Sequence, residues 1–239
     1  METLFFSIAG LTIRMEYRDP RILAFCRDYL TDPTDAPAFS VAPDEAEMAR
    51  AMAQTPGMTP LLAEMQSLHR AVAEQTPRFG ALQFHGAAVA ADGKAYLFTA
   101  PSGTGKSTHI RLWKEVYGDR VQIVNGDKPM IRMRDGTAEV CSTPWAGKEG
   151  WQKNTVVPLG GICLLKRGRE NRIRRVSPGE HLPFLMNQVY LPADGEALRA
   201  TLTLLDQILT AAPCHELACD MSPEAAKTSF EAMTGGGHV

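Results

Sequence analysis

The sequence contains no apolar run long enough to cross a bilayer, no marked excess of either charge and no regular cysteine spacing. The first absence gives no reason to expect a membrane span. The second, a formal net charge of −2 over 239 residues, gives no reason to expect a nucleic-acid partner. The third concerns Cys26, Cys141, Cys163, Cys214 and Cys219, an odd number at scattered positions. Such a set suits reduced thiols in a cytoplasmic protein rather than a disulfide framework. Cys214, His215 and Cys219 fit no common zinc spacing, and the alternation around them suits a buried strand. The opening residues Met-Glu-Thr-Leu-Phe-Phe-Ser-Ile-Ala-Gly lack a basic flank, and they read as a strand rather than a signal peptide.

What is present divides the chain in two. Residues 1–58 read as a small α+β segment without a chemical motif. Alternation over 4–17 predicts a strand or hairpin, Asp19-Pro20 opens a short helix over 21–30, and residues 38–42 and 43–54 predict a strand and a helix. Residues 59–239 read as a second, larger domain. Thr59-Pro60 starts a helix to about Gln75, with His69 on its packing face. A strand over 81–90, the Asp92-Gly93 turn and a strand over 95–100 predict a hairpin. Further hairpins are expected across Asp135-Gly136 and across Arg167-Gly168, the latter joining 160–166 to 171–176. Helices over 178–190 and 195–211, a strand over 215–220 and a helix opened by Ser222-Pro223 complete the reading, with a frayed Gly-Gly-Gly-His-Val tail.

The most informative stretch is Ala100-Pro-Ser-Gly-Thr-Gly-Lys-Ser107. An apolar run precedes it, and Thr108–Tyr117 follows with apolar residues at helical spacing until Gly118. Strand, glycine loop and helix are what a polyphosphate cradle needs. Glycines allow backbone N–H groups to approach the phosphates, and the helix start adds a positive dipole end. The candidate nucleotide-binding residues are therefore Ser102, Gly103, Thr104, Gly105, Lys106, Ser107 and Thr108, with Lys106 on the outer phosphates and the Ser107 hydroxyl on Mg²⁺. Asp127, just past a strand end, is a second metal-side candidate. The strand entering the loop should pair antiparallel with the one before it, unlike the common all-parallel setting of such loops.

Phe84-His85-Gly86, the Asp92-Gly93 hairpin, Ser102-Gly-Thr-Gly-Lys-Ser107 and Asn125-Gly-Asp-Lys128 together resemble the catalytic domain of HPr kinase/phosphorylase and its short relatives. The loop also looks like that of ATP-dependent phosphoenolpyruvate carboxykinase. The resemblance spans roughly residues 80–235 and implies an α/β (α+β) fold with a mixed, largely antiparallel core. It implies a Mg²⁺-dependent kinase passing a phosphoryl group from ATP to a hydroxyl of a peptide, a protein or a small molecule, with a homo-oligomer among the states open to it.

The resemblance also implies that His85 lies beside the phosphates, although a strand histidine facing the core fits the sequence too. The family carries paired aspartates, and here the first position is Gly126. That leaves three routes for the acceptor proton: Asp127 in both roles, His85, or a reaction needing little base help. A nucleotide-binding partner or sensor in a peptide-modification system is the alternative. Lys148, in Pro-Trp-Ala-Gly-Lys, is the further cation expected near the transferring phosphate, with Lys128 as a second candidate. Trp145 and Trp151 suit either a pocket wall or the core. The basic run Lys166, Arg167, Arg169, Arg172, Arg174 and Arg175 reads as a solvated face or an acidic-substrate patch.

Overall fold

The computed structural model describes residues 1–235, so the expectation for residues 236–239 lies outside the described residues. The chain begins with an antiparallel hairpin, β1 (Glu2–Ile8) and β2 (Leu11–Tyr17), turned through Ala9-Gly10 in left-handed conformations. Helix α1 (Arg21–Phe25) is followed by a 3-10 turn at Arg27–Tyr29, so the helix expected to residue 30 is shorter and tightens at its end. Strand β3 (Phe39–Val41) adds parallel to β2. Helix α2 (Glu45–Gln54) is capped by Asp44, whose carboxylate accepts from the Glu47 N–H at 2.9 Å. Helix α3 (Pro60–Gln75) starts where Thr59 caps and Pro60 fixes the first turn.

Alternation on β1 and β2 turns Leu4, Phe6, Ile8, Ile13, Met15 and Tyr17 to one face. That face is buried with Leu68 and Val72 of α3 and with Met130, Cys141 and Trp145 from later in the chain. The Glu64 carboxylate, 2% exposed, accepts from the backbone N–H groups of Arg18 and Asp19 and so fastens the end of β2 to α3.

The strand expected over 81–90 is broken. Strand β4 (Ala81–Gln83) pairs with β8 (Met130–Arg134), whereas β5 (Ala87–Ala91) pairs with β6 (Lys94–Thr99) and β7 (Val121–Asn125). Residues 84–86 make the crossing between the two halves of the sheet. The β5–β6 hairpin turns at Asp92-Gly93 as expected. Helix α4 (Lys106–Tyr117) lies between β6 and β7, and β9 (Thr137–Cys141) pairs with β8. The long β10 (Val156–Arg167) bends at Gly160-Gly161. Its first residues pair antiparallel with β9, and its later ones lie parallel to β6. β6 thus has one antiparallel and one parallel neighbour.

The hairpin expected across Arg167-Gly168 does not form. β11 (Arg172–Val176) pairs antiparallel with β12 (Cys214–Cys219), and β12 lies parallel to β10 between them. Gly168 is not a tight-turn glycine. A Cβ there would come within 3.1–3.2 Å of Ala218 and Cys219, so it is the close passage of the chain over β12 that requires glycine. The helix expected over 178–190 is a 3-10 turn (Pro178–His181) and the short α5 (Leu182–Met186). Helix α6 (Gly195–Ala211) is capped by Asp194 and covers β4, β8 and β9. Helix α7 (Pro223–Thr234) packs on α4 and ends at Gly235, φ +83°.

The result is a mixed α/β fold in which antiparallel pairs predominate in a nine-stranded sheet, beside the three-stranded sheet β1–β2–β3. Among the described residues no helix is long and apolar enough to cross a membrane.

Candidate functional site

The loop at 100–105 leaves the buried end of β6 and enters α4. Gly103 and Gly105 have φ of +76° and +118°, backbone that only glycine adopts without strain. No side chain caps α4, so the N–H groups of its first turn are left to face an anion. Lys106 is buried, and its ammonium donates to the Ala100 carbonyl at 3.0 Å. Burial pulls its pKa below the usual lysine value, and the Asp127 carboxylate partly counters this.

Asp127 is presented by an Asn125 side chain that is itself fully buried. Its Oδ1 accepts from the N–H groups of Asp127 (2.9 Å) and Lys128 (2.8 Å), while its Nδ2 donates to the Thr143 carbonyl (2.9 Å). Burial pushes the Asp127 carboxyl up, but the hydrogen bond from His85 and the charges of Lys128 and His85 outweigh it and hold the group below the usual carboxylate range. The contacts are His85 Nε2 to Asp127 Oδ1 at 3.5 Å and Lys128 Nζ to Asp127 Oδ2 at 3.4 Å. On its other side His85 meets Gln188, with Nδ1 to Oε1 at 3.0 Å. His85 therefore does not face the core.

Gly126 has no room for a side chain. A Cβ there would stand 2.6 Å from the Ala146 carbonyl oxygen. Gly147, φ +80°, brings the same segment against Asp127, with 3.2 Å between its would-be Cβ and the Asp127 Cβ.

These residues wall one polar cavity of about 530 Å³. His85, Ser102, Gly103, Gly105, Lys106, Ser107, Thr108, Asp127 and the exposed Lys148 all line it, as does Glu149. Thr104 lies on the other side of the loop. There it helps to line a second cavity of about 480 Å³ that shares Gly103, Gly105 and Thr108 and continues to Leu112, Leu165, Cys219 and Met221. Arg167 reaches across its rim and donates to the Gly103 carbonyl at 2.7 Å.

Neither Trp145 nor Trp151 lines these cavities. Trp145 is in the core against Phe6, Phe25 and His69, with its Nε1 donating to the Met65 carbonyl. Much of the basic run is paired: Lys166 and Arg174 meet Glu216, Arg174 also meets Glu180, and Arg172 meets Glu170. Such pairing belongs to a solvated face rather than to a patch awaiting an acidic substrate.

Three residues of the site escape a reading of the sequence. Asn125 stands in a turn-like Asn-Gly pair that does not reveal its buried bracing role. Gln188 comes from a segment about a hundred residues downstream, and Arg167 looks like part of a turn.

No family model matches the chain, and no curated protein matches it. Among solved structures, the HPr(Ser) kinase/phosphatase from Coxiella burnetii matches with a TM-score of 0.38 and 10% identity, over 64% of this chain and 99% of that one. At that score and identity the likeness assigns neither family nor activity. Fold and cavity define a mixed α/β protein with a loop-and-helix polar pocket.

Proposed function

We propose that the chain is a Mg²⁺-dependent phosphotransferase that moves the γ-phosphoryl group of ATP to a hydroxyl on a peptide, protein or small molecule. One observation carries this reading: the uncapped start of α4, Lys106, Ser107, Asp127 and His85 wall a single polar cavity. The N–H groups of residues 103–107 hold the β-phosphate, and Lys106 leaves the Ala100 carbonyl for the outer phosphates. The Ser107 hydroxyl and the Asp127 carboxylate are hard oxygen donors, suited to Mg²⁺ when phosphate oxygens complete its shell. Among the described residues no cluster of three or more His, Cys, Asp or Glu could hold a metal by protein ligands alone, so the phosphates are needed. When bound, Mg²⁺ neutralises charge on the β- and γ-phosphates.

The acceptor oxygen attacks the γ-phosphorus as the bond to the β–γ bridging oxygen breaks and ADP leaves. Asp127, held below the usual carboxylate range, is a poor proton acceptor. In its neutral form His85 takes the hydroxyl proton at Nε2, and the imidazolium so formed donates to the Asp127 carboxylate 3.5 Å away. Lys148 comes from the exposed loop to the transferring phosphate. The nucleoside lies over Leu112 and Leu165 in the second cavity, which favours a nucleotide over pyrophosphate as donor.

Titration calorimetry with Mg-ATP, followed by assay of ADP and phosphorylated product with hydroxyl-bearing peptides and metabolites, tests the proposal. Binding without product from any acceptor pool would leave the second reading, a nucleotide sensor. The closed wall at Gly126, which bars a carboxylate from that position, is the observation in its favour.

A further inference from the structure

We infer that Trp145 is a positioning residue through which the start of the chain holds the far wall of the polar cavity against Asp127. The inference rests on the phosphotransferase reading for the purpose of that wall, and on packing and hydrogen bonds for its content. The wall is the stretch from Ser142 to Thr155, between β9 and β10, which brings Lys148 and Glu149 to the cavity. It forms no helix, and its one strand-like contact is the bridge from Gln152 to Asn125. A stretch with so little structure of its own is placed by what it packs on.

The start of the chain grips it at three points. The Trp145 indole is 8% exposed and meets the rings of Phe6 on β1 and Phe25 on α1 edge-on, with centroids 6.4 and 6.1 Å away. Its Nε1 donates to the Met65 carbonyl of α3 at 3.2 Å. Near one end of the stretch, the Ser142 hydroxyl gives its proton to the Val124 carbonyl at 2.7 Å. It therefore accepts from the Tyr29 hydroxyl, also at 2.7 Å. Near the other end, Asn154 Nδ2 donates to the Asp28 carbonyl at 2.9 Å. Residues 25–29 thus reach the beginning, the middle and the end of the wall.

The backbone of the same stretch is laced to the residues that present Asp127. The Lys128 N–H, shared with Asn125 Oδ1, donates to the Trp145 carbonyl at 3.1 Å, and Thr143 Oγ1 donates to the Lys128 carbonyl at 2.7 Å. Trp145 therefore has its side chain in one core and its carbonyl at the site. The fit beside it has no slack, because a Cβ on Gly126 would stand 2.6 Å from the Ala146 carbonyl oxygen. A tilt of the indole moves Ala146 and Gly147, and the Asp127 and Lys148 side chains with them. The phosphate loop does not share this support. It hangs between β6 and α4, and neither Trp145 nor residues 25–29 line either cavity beside it. Loosening the anchor should thus separate two properties that unfolding would remove together: the phosphates stay bound, and transfer suffers.

Two variants of the full chain test this. Trp145→Phe keeps a ring and removes the Nε1 donor. Phe25→Ala removes one ring from beside the indole at a partly buried position, and it answers the question if Trp145→Phe folds poorly. Amide hydrogen exchange without ligand is measured first, by NMR. The reporters are the N–H groups of Lys128 and of Lys153, which donates to the Val124 carbonyl at 3.3 Å. Both should exchange about 5-fold faster or more in each variant, while the amides of β5 and β6 stay within about 2-fold. With the best acceptor, kcat should then fall about 10-fold while the Kd for Mg-ATP stays within about 2-fold. Unchanged exchange at both reporters overturns the inference, and so does faster exchange with unchanged kcat. An ATP affinity that falls in step with kcat also overturns it, because a general loss of structure is then the cause. Faster exchange at the reporters alone, in a protein whose wild type turns over no acceptor, supports the anchoring and overturns the phosphotransferase reading.

Discussion

The two cavities flanking the loop share Gly103, Gly105 and Thr108, yet one is walled mainly by polar groups and the other more by apolar ones. On the β7 side stand Lys106, Asp127, His85 and Lys148, charged groups braced by buried polar residues such as Asn125 and Gln188. On the β12 side stand Leu112, Leu165 and Met221, with His109 held neutral among them, and Lys166, Arg167 and Asp220 also line that cavity. The difference shows how one short loop can face two environments. Its glycines expose backbone to both sides, and the strands behind each side decide what meets that backbone. Charged groups are gathered where buried polar side chains brace them, and the larger share of apolar surface lies on the other side of the loop.

The largest effect should come from breaking the polar side. Lys106→Ala and Asp127→Asn are each expected to reduce turnover about 10³-fold, because the charges on the outer phosphates lose their partners. Steady-state kinetics with the best acceptor would check this, and a variant retaining a tenth of wild-type turnover would show that the cavity is not where the chemistry happens.

Next in size is a pH effect that separates the two sides. Burial pushes His109 down to about 4, and on α3 the same cause pushes His69 down to about 3. Both rings are neutral in the fold and take up protons on unfolding below about pH 6.5. Stability should therefore be complete above that value and fall as pH drops toward 4, by on the order of 3 kcal/mol for His109. Asp127 acts at lower pH. Its lowered carboxyl pKa contributes stability present above about pH 4 and lost only as pH falls through the folded value. Urea unfolding at pH 7.5, 6 and 5 should show the histidine fall. His109→Gln, which can still reach the Ser229 hydroxyl that His109 meets at 2.9 Å, should make it shallower and leave the part due to His69.

The sequence makes local structure legible where one short stretch decides it. Asp92-Gly93 turns a hairpin because both residues take positive φ, and Thr59-Pro60 starts α3 because cap and proline act within one turn. The strand–loop–helix at 95–117 is legible for the same reason. Legibility fails where a distant segment decides. β12 enters between β10 and β11 and buries Leu217 completely, so Arg167-Gly168 becomes a passage over a strand end instead of a turn. The break at 84–86 follows from β4 finding β8 rather than β7, a choice between partners of similar pattern. At the site, the loop and Asp127 announce themselves by residue type. Gln188 does not, because a glutamine's worth to His85 depends on a backbone pairing between residues a hundred positions apart.

A smaller effect should sharpen the contrast from the apolar side. Cys219→Phe places a ring in the second cavity without touching the first. The affinity for ATP should weaken about 10-fold, near 1.4 kcal/mol, while tripolyphosphate binds as before. Competition binding with the two ligands gives the ratio directly. Equal loss for both would mean that the polyphosphate alone is recognised.

The smallest effect concerns the wall that the two cavities share. Arg167 donates to the Gly103 carbonyl at 2.7 Å, but its side chain is exposed, so the bond competes with water and is worth little. Its value lies in where it acts. Gly103 has φ +76° and no side chain to hold it, so the guanidinium is a tether from β10 to the loop apex. Removing it widens the loop's conformational range in the free protein, and binding must pay that ordering entropy. Arg167→Ala should therefore weaken ATP and tripolyphosphate alike, by about 3-fold, because both need the ordered backbone of residues 103–105. That common loss distinguishes it from Cys219→Phe, which should discriminate between the ligands, and from Lys106→Ala, which should cost turnover most. A loss confined to ATP would instead place Arg167 on the nucleoside.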